Sequence, residues 1–214
     1  MNNGLNNGEA TVFVVDDDAP VLRAIARVLR SAGLNVTTFE SPREFLAGYS
    51  ADATGCLLLD LSMPDLDGLA LQQALADRGG TTPIVFLSGH GDVPKSVSAM
   101  KRGACDFLTK PADDEQLIGA VRIAIERDRS ARSARQELAE IRGRLEALTP
   151  REREVLEHVV SGQLNKQIAA DLGTVEKTIK VHRARVMGKM QVESLAELVQ
   201  VAQRVGIVAP ANAL

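Results

Sequence analysis

Aromatic residues and cysteines are scarce in this sequence. Phe, Tyr and Trp make up 3% of the 214 residues, with no Trp at all, whereas hydrophobic residues make up 45%. The core must therefore be aliphatic. The two cysteines, Cys56 and Cys105, lie in apolar contexts without metal-ligand spacing. We expect them to pack in the core and to take no part in redox or metal chemistry.

Long apolar runs are also absent. No stretch approaches the roughly 18 consecutive apolar residues of a membrane span, and the start of the sequence lacks the basic and apolar regions of a signal peptide. We therefore expect a cytoplasmic protein that makes no use of a membrane. Residues 1–9 are rich in Asn and Gly, which predicts a disordered N-terminus.

Charge is distributed unevenly along the chain. Residues 1–128 carry 11 Lys/Arg against 18 Asp/Glu, residues 129–146 carry 5 against 3, and residues 147–214 carry 9 against 7. The acidity is thus confined to the N-terminal part, and the overall length fits two domains better than one.

Short apolar runs alternate with segments of helical period over residues 10–128. The runs TVFVV, NVTTF, GCLLLD, PIVFLSG and DFLTK read as buried strands. Five segments with a period near 3.6 follow them, several with helix-start or helix-end residues. This alternation predicts an α/β doubly wound sheet of five parallel strands with helices on both faces.

Polar residues stand where the predicted strands end. Asp16 and Asp17 follow the first strand, Asp60 the third, Ser88 the fourth and Lys110 the fifth. Because ligands of such sheets gather beyond the carboxyl ends of the strands, we expect these five side chains to converge on one rim.

The residue types at this rim fit a magnesium ion and a phosphoryl group. Clustered carboxylates repel one another unless a cation lies between them, and Mg²⁺ prefers oxygen ligands. Asp60 is either a third metal ligand or a nucleophile. An acyl phosphate on Asp60 needs a metal, a cation and a hydrogen-bond donor, which Asp17, Lys110 and Ser88 supply.

The C-terminal part is all helical in pattern. From Ala124 to Leu148 the sequence reads as a helix with a narrow apolar stripe at Leu138, Ile141, Leu145 and Leu148. This stripe fits either a solvated spacer or a short interchain coiled coil. Four shorter helical segments follow from Thr149, and two of them flank LGTVE, an arrangement that suggests a helix-turn-helix.

Several of these motifs match a known family. VVDDD, LLLDLSMPDLDG, FLSGHGD and DFLTKP resemble the receiver domain of two-component response regulators, and the segment from LTPREREVLEHVV to KVHRARVMGKM resembles the LuxR/FixJ-type helix-turn-helix domain. The resemblance implies a flavodoxin-like receiver at residues 10–128, a helical linker at 129–146, and a four-helix DNA-binding domain at 147–214.

The resemblance also assigns roles to the rim residues. It implies that Asp60 accepts a phosphoryl group from a sensor histidine kinase and that Asp17, Asp60 and the backbone carbonyl of Ser62 hold Mg²⁺, with Asp16 close by through water. Ser88 is then the switch hydroxyl, Phe107 the switch aromatic that turns from exposed to buried, and Lys110 the phosphate partner. The bond from Lys110 to Pro111 is expected to be cis.

The predicted recognition helix has two distinct faces. On a helical wheel Ile179, Val186 and Met190 fall together, and Lys177, Lys180, Val181 and Ala184 fall on the other side. Five basic residues and one acid between positions 176 and 189 favour contact with DNA phosphates. The resemblance places base contacts near Lys180 and Val181. The full set of predicted DNA-binding residues is Lys177, Thr178, Lys180, Val181, Arg183 and Arg185.

These observations predict a transcription factor without an enzymatic activity of its own beyond phosphoryl transfer to and from its receiver. Its expected partners are a sensor histidine kinase, double-stranded promoter DNA, RNA polymerase and, on phosphorylation, a second copy of the chain.

Three alternative functions are less well supported by the sequence. A phosphatase of the haloacid dehalogenase type needs a second Asp two residues after the nucleophile, where this sequence has Ser62. No Gly-rich turn follows the first strand, which disfavours a nucleotide-binding oxidoreductase. A third alternative is a receiver whose tail is only a docking module.

Overall fold

The computed structural model describes residues 10–89 and 93–207. The predicted disorder of residues 1–9 lies outside this range, as does the loop residue His90. The chain divides into two compact units, of which the first ends at Arg132 and the second begins at Ser133.

The first unit alternates strands and helices as predicted. Its elements are β1 (Thr11–Val15), α1 (Ala19–Ser31), β2 (Asn35–Phe39), α2 (Pro42–Gly48), β3 (Gly55–Asp60), α3 (Gly68–Asp77), β4 (Ile84–Ser88), α4 (Val93–Lys101), β5 (Asp106–Thr109) and the start of α5 (Asp114–Glu146). The strands form one parallel sheet in the order β2-β1-β3-β4-β5. The predicted α/β fold with five parallel strands is confirmed.

Two hydrophobic cores cover the two faces of this sheet. One packs α1 and α5 against the sheet through residues such as Leu22, Leu29 and Val121. The other packs α2, α3 and α4 through Phe45, Leu71 and their neighbours. This second core contains Phe13, Phe45 and Phe86 and so differs from the expected aliphatic core. Since β3 is buried along its whole length, its apolar run without alternation is typical of a central parallel strand.

Side-chain oxygens begin several of the helices. Asp18 accepts a hydrogen bond from the backbone N–H of Val21 at the start of α1, and Asp67 accepts one from Ala70 at the start of α3. Asp18, an exposed residue directly ahead of α1, is therefore its N-cap. Such caps fix where each helix leaves the strand that precedes it.

A buried carboxylate holds the far end of β3. Asp128 of α5 accepts hydrogen bonds from the backbone N–H of Gly55 at 2.9 Å and from Arg132 at 2.8 Å. Gly55 has a φ of 129°, and a Cβ there would lie 1.9 Å from the carbonyl oxygen of Thr11. Only glycine fits this close approach of β3 to β1.

Cys56, the residue after Gly55 in β3, is fully buried, and burial raises the pKa of its thiol to about 12.

The second unit is all helical. It contains the end of α5, then α6 (Pro150–Val160), α7 (Asn165–Asp171), α8 (Glu176–Met190) and α9 (Leu195–Arg204). A single core joins them, with Leu156, Ile168, Ile179, Val186 and Leu198 among its buried members. The short connection between α7 and α8 gives the helix-turn-helix that the sequence predicted.

The apolar stripe of the predicted linker is used within this unit. Ile141 and Leu148 are buried in the helical core, and Leu145 packs against it. These three side chains are therefore covered by their own chain, whereas Leu138, the first residue of the stripe, is half-buried.

Candidate functional site

The ends of three neighbouring strands bring the predicted rim residues together. The parallel register places Val15 opposite Leu59 and Asp60 opposite Leu87. Asp16 and Asp17 therefore leave β1 beside the end of β3, where Asp60 is the last strand residue. One carboxylate oxygen from each of these three residues lies within 4.8 Å of the others.

Lys110, directly after β5, reaches across to this cluster. Its Nζ lies 2.6 Å from Oδ2 of Asp16 and 2.6 Å from Oδ1 of Asp60. The sequence had placed Lys110 against a phosphoryl group and had not predicted its bond to Asp16. The peptide bond between Lys110 and Pro111 is cis, as the resemblance implied.

Burial and hydrogen bonding act in opposite directions on these charges. The pKa of Asp60 lies above its usual range, because burial raises it more than the hydrogen bonds from Lys110 and from the backbone N–H of Ser62 lower it. Burial by itself lowers the pKa of Lys110, but hydrogen bonds to Asp16 and Asp60 raise it above its usual range. The lysine is thus held as a cation next to the carboxylate that it bonds.

The donor set fits a hard divalent cation. Asp17 is exposed, whereas Asp16 and Asp60 are almost fully buried, so the cluster is open on one side. Three converging carboxylates carry more negative charge than Lys110 neutralises, and oxygen ligands of this kind suit Mg²⁺.

The loop after β3 is shaped by close backbone contacts. The backbone N–H of Ser62 donates to Oδ2 of Asp60 at 3.0 Å, and the N–H of Gly68 donates to the carbonyl of Leu61 at 3.0 Å. A Cβ on Gly68 would lie 2.5 Å from the carbonyl oxygen of Asp60. Gly68 therefore allows the start of α3 to approach Asp60, a role that sequence reasoning missed and that the Asp-Gly pair before a helix could have signalled.

Ser88 and Phe107 lie near this rim on the two last strands. Ser88 ends β4 fully buried, and its hydroxyl donates to the carbonyl of Gly89 at 3.1 Å. Phe107 in β5 is half-buried and packs against the core of α2, α3 and α4. The ring is therefore neither fully exposed nor fully buried in this conformation.

All six predicted DNA-binding residues lie on α8. Lys177, Lys180, Val181 and Arg185 are exposed, whereas Thr178 is half-buried. The opposite face packs, because Ile179, Val186 and Met190 are buried. The predicted division of this helix into a packing face and a basic face is thus present.

Contacts within the helical unit set two of the charged side chains on α8. Nη1 of Arg183 donates to Oδ1 of Asn165 at 3.2 Å, which ties α8 to the start of α7. Nζ of Lys189 lies 2.6 Å from Oε2 of Glu152, a buried residue of α6. The same carboxylate completes a capping box with Thr149. A Thr followed three residues later by a Glu predicts this capping box from sequence, whereas no sequence pattern indicates the bond from Lys189.

In the described parts of the chain, 10–89 and 93–207, the structure has no helix long and apolar enough to cross a membrane.

Two families of known proteins match this sequence. Residues 12–122 match the response regulator receiver domain, and residues 146–202 match the luxR family of bacterial regulatory proteins. A receiver joined to such a domain implies a histidine kinase and DNA as partners.

Whole-length relatives show the same combination. The transcriptional regulatory protein FixJ of Azorhizobium caulinodans is 48% identical over 204 residues, which cover 94% of this chain and 95% of that protein. Nodulation protein W of Bradyrhizobium diazoefficiens is 46% identical over 199 residues, covering 93% and 88%.

Solved structures agree. The response regulator StyR has a TM-score of 0.85 at 41% identity, covering 92% of this chain and 99% of its own. Full-length FixJ from B. japonicum has a TM-score of 0.57 at 40% identity, covering 93% and 98%. The chain described above therefore belongs to the two-component response regulators of the LuxR/FixJ type, in which a receiver and a LuxR-type helix-turn-helix domain together serve the regulation of transcription.

Proposed function

We propose that this response regulator accepts a phosphoryl group on Asp60 from a sensor histidine kinase, and that phosphorylation controls its binding to promoter DNA. The proposed receiver spans residues 10–128, the linker 129–146 and the DNA-binding domain 147–214. The protein acts in the cytoplasm as a transcription factor, and its only chemistry is the gain and loss of its own phosphoryl group.

One observation carries the assignment of Asp60. Of the three clustered carboxylates, Asp60 is the one that both ends the central strand and bonds the Lys110 ammonium, at 2.6 Å. Asp16 shares that lysine, and each of the two carboxylates also accepts a hydrogen bond from its own loop, Asp16 from the N–H of Asp18 at 2.9 Å and Asp60 from the N–H of Ser62 at 3.0 Å. The place of Asp60 at the end of the central strand distinguishes it. Asp60 is therefore best placed to present an oxygen to an incoming group.

The transfer step follows from these contacts. A carboxylate oxygen of Asp60 attacks the phosphorus of a phosphohistidine, the new O–P bond forms as the N–P bond breaks, and the bonding electrons leave with the histidine nitrogen. Lys110 offsets the negative charge on the phosphoryl oxygens, and the hydroxyl of Ser88 donates a hydrogen bond to one of them.

A magnesium ion fits the remaining ligands. Asp17, Asp60 and the backbone carbonyl of Ser62 would hold it, with Asp16 nearby through water. When bound, the ion neutralises charge on the phosphoryl oxygens. Asp17, which makes no bond to Lys110 in the described residues, is the carboxylate with free oxygen for this purpose.

DNA recognition rests on the basic face of α8. Lys180 and Val181, both exposed, contact base edges in the major groove, while Lys177, Thr178 and Arg185 contact phosphates. Arg183 also contacts the DNA. Its guanidinium group is oriented by the hydrogen bond that it donates to Asn165 at the start of α7.

Phosphorylation acts through the surface around α4. The phosphoryl oxygens draw Ser88 and its loop inward, Phe107 turns into the space that opens, and the face of α4 with Val93, Val97 and Met100 changes shape. A two-fold contact of this face joins two chains, so that two α8 helices meet two half-sites of a promoter near RNA polymerase. Residues 90–92 of the loop lie outside the described range.

Selection from random-sequence duplexes tests the proposal. The intact protein treated with acetyl phosphate and Mg²⁺ should enrich one sequence, and Asp60→Asn should enrich it weakly under the same conditions. Absence of any enriched sequence would overturn the DNA-binding role. Equal enrichment by both proteins would overturn control through Asp60.

A further inference from the structure

Three arginines form a row on the first helix of the receiver. Arg23, Arg27 and Arg30 are spaced by four and three residues, so all three lie on one face of α1, and all are exposed. Like charges at this spacing weaken a helix by about 0.2–0.5 kcal/mol per pair. The row therefore costs α1 stability, and helix formation does not account for it.

Local ion pairing does not account for it either. Over residues 10–89 and 93–207, no ion pair within 4.0 Å involves Arg23 or Arg27. Arg30 donates from Nη2 to the carbonyl of Val36 at 3.1 Å, which covers part of the open edge of β2. That bond explains Arg30 in part and leaves the other two guanidinium groups available.

The row borders a cleft between α1 and the edge strand. The cleft has a volume of about 360 Å³, and its lining includes the three arginines, Thr38 of β2 and Glu40. Buried Leu22 and Ala26 supply an apolar floor. This volume is within the range of small-molecule sites. The cleft shares no lining residue with the cluster of Asp16, Asp17 and Asp60.

We propose that this cleft binds a small phosphate ester whose remaining part carries hydroxyl groups. Guanidinium groups match phosphate oxygens in pairs of parallel hydrogen bonds, and two or three of them offset the charge of a phosphate monoester. The hydroxyl of Thr38 and the carboxylate of Glu40 accept hydrogen bonds from the hydroxyl groups of the ligand. The apolar floor contacts its carbon skeleton.

The charges around the arginine row favour a ligand that carries one phosphate group. Residues 1–128 carry 18 acidic and 11 basic side chains, so a concentrated positive patch contrasts with the rest of this surface. Glu40 at the rim repels a second anionic group. A ligand with one phosphate and several hydroxyl groups therefore suits the cleft better than a pyrophosphate does.

Calorimetric titration of the full chain in low-salt buffer with EDTA tests this site, since EDTA removes metal-assisted phosphate binding at Asp60. The probes are ribose 5-phosphate, inorganic pyrophosphate and ATP. Ribose 5-phosphate should bind, and Arg27→Gln should weaken its binding about tenfold, the loss of roughly one charge-assisted hydrogen bond. Arg122→Gln, which removes an exposed arginine from α5, is the control and should bind as the native chain does.

The three probes separate the sources of the phosphate. Tighter binding of ribose 5-phosphate than of pyrophosphate supports the hydroxyl contacts, whereas tighter binding of ATP than of ribose 5-phosphate would overturn the proposal of a ligand with a single phosphate. Failure of all three probes to bind, or equal affinities in native and Arg27→Gln proteins, would overturn the proposal. Thermal melting gives a second readout: Arg27→Gln should melt at the same or a higher temperature because it removes like-charge repulsion, and a lower melting temperature with unchanged binding would show a purely structural role.

Discussion

Lys110 donates a hydrogen bond to Asp16 at 2.6 Å, across the carboxyl ends of β5 and β1. The two residues are 94 positions apart, and the same ammonium group lies equally close to Asp60. Asp16 therefore orients the lysine toward the proposed acceptor, in addition to its place near the proposed metal. Asp16 and Asp17 are neighbours in sequence with different tasks, because Asp16 is buried and bonded while Asp17 is exposed.

Labelling with acetyl phosphate tests the acceptor. In the presence of Mg²⁺ the native chain should gain one acid-labile phosphoryl group, and Asp60→Asn should gain none because the attacking carboxylate is lost. Mass spectrometry of the intact protein measures this. Removal of Mg²⁺ with EDTA should reduce labelling of the native chain strongly. Full labelling of Asp60→Asn would place the acceptor elsewhere.

The two neighbouring aspartates should respond differently to magnesium. Asp17→Asn should raise the Mg²⁺ concentration needed for half-maximal labelling by about tenfold or more, because a direct ligand is lost. Asp16→Asn should slow labelling even at saturating Mg²⁺, because Lys110 loses the partner that orients it. The labelling rate as a function of Mg²⁺ concentration distinguishes the two effects. Identical curves for both variants would contradict separate roles.

Two lysines of α8 should differ in how they affect DNA binding. Lys180→Ala should cost about 1–3 kcal/mol on the selected sequence and relax its base preference, whereas Lys177→Ala should weaken all sequences alike and reduce the salt dependence. Fluorescence anisotropy at several salt concentrations measures both. Lys180 also lies 3.1 Å from Glu176, an exposed pair that contributes little to stability. Equal losses on specific and random DNA for both variants would contradict the division.

The strands and helices that depend on local sequence pattern could be predicted from the sequence. The fully buried run at Gly55–Asp60 could be recognised as a central strand because it shows neither helical period nor alternation. The alternation of strands and helices then places Asp16, Asp17 and Asp60 at one rim from the sequence alone. The structure has these three carboxylates together.

Contacts between distant residues were not predictable in the same way. The bond from Lys110 to Asp16 depends on the length and direction of two side chains beyond their strands, and the steric need for Gly68 depends on the approach of α3 to Asp60. The period of the apolar stripe with Ile141 does not reveal which surface covers it, so the sequence leaves a solvated spacer and an interchain coiled coil open. In the structure the helical core covers Ile141 and Leu148.

The ion pair between buried Glu152 and exposed Lys189 should make the helical unit sensitive to acid. The bond from Lys189, followed by that from the backbone of Thr149, lowers the pKa of Glu152 from 4.5 to about 2. A carboxylate with a lowered pKa in the folded state stabilises the fold above its unfolded pKa. This stabilisation should therefore be complete above pH 4.5 and disappear as the pH falls toward 2.

Glu152→Gln removes this charge. It should destabilise the helical unit by about 1–2 kcal/mol at neutral pH, with the difference from the native chain vanishing in acid. Hydrogen exchange of the α6 and α8 amides, followed by mass spectrometry, measures the helical unit separately. Glu154→Gln is the matched control, since Glu154 pairs with Arg151 at 2.7 Å on the surface and its loss should change stability by less than about 0.5 kcal/mol. Equal effects of the two substitutions would contradict the importance of the bond between Glu152 and Lys189.

The α4 face should mediate the proposed dimer. Val93, Val97 and Met100 are 69%, 47% and 45% exposed, an unusual amount of apolar surface for one short helix. Covering these side chains with a second copy removes them from water, so the contact gains free energy once phosphorylation has reshaped the face. Sedimentation of the full chain with beryllofluoride, a mimic of the phosphoryl group, should show a dimer, and without it a monomer.

A charge placed in that contact should prevent it. Val97→Asp should raise the dimer dissociation constant about tenfold or more, because a carboxylate without a partner would be buried between the two copies. Leu195→Asp, at a leucine of α9 that is 41% exposed, is the matched control and should dimerise as the native chain does. If Leu195→Asp abolishes the dimer and Val97→Asp does not, the contact lies on α9, and the helical unit brings the two recognition helices together without the receiver face.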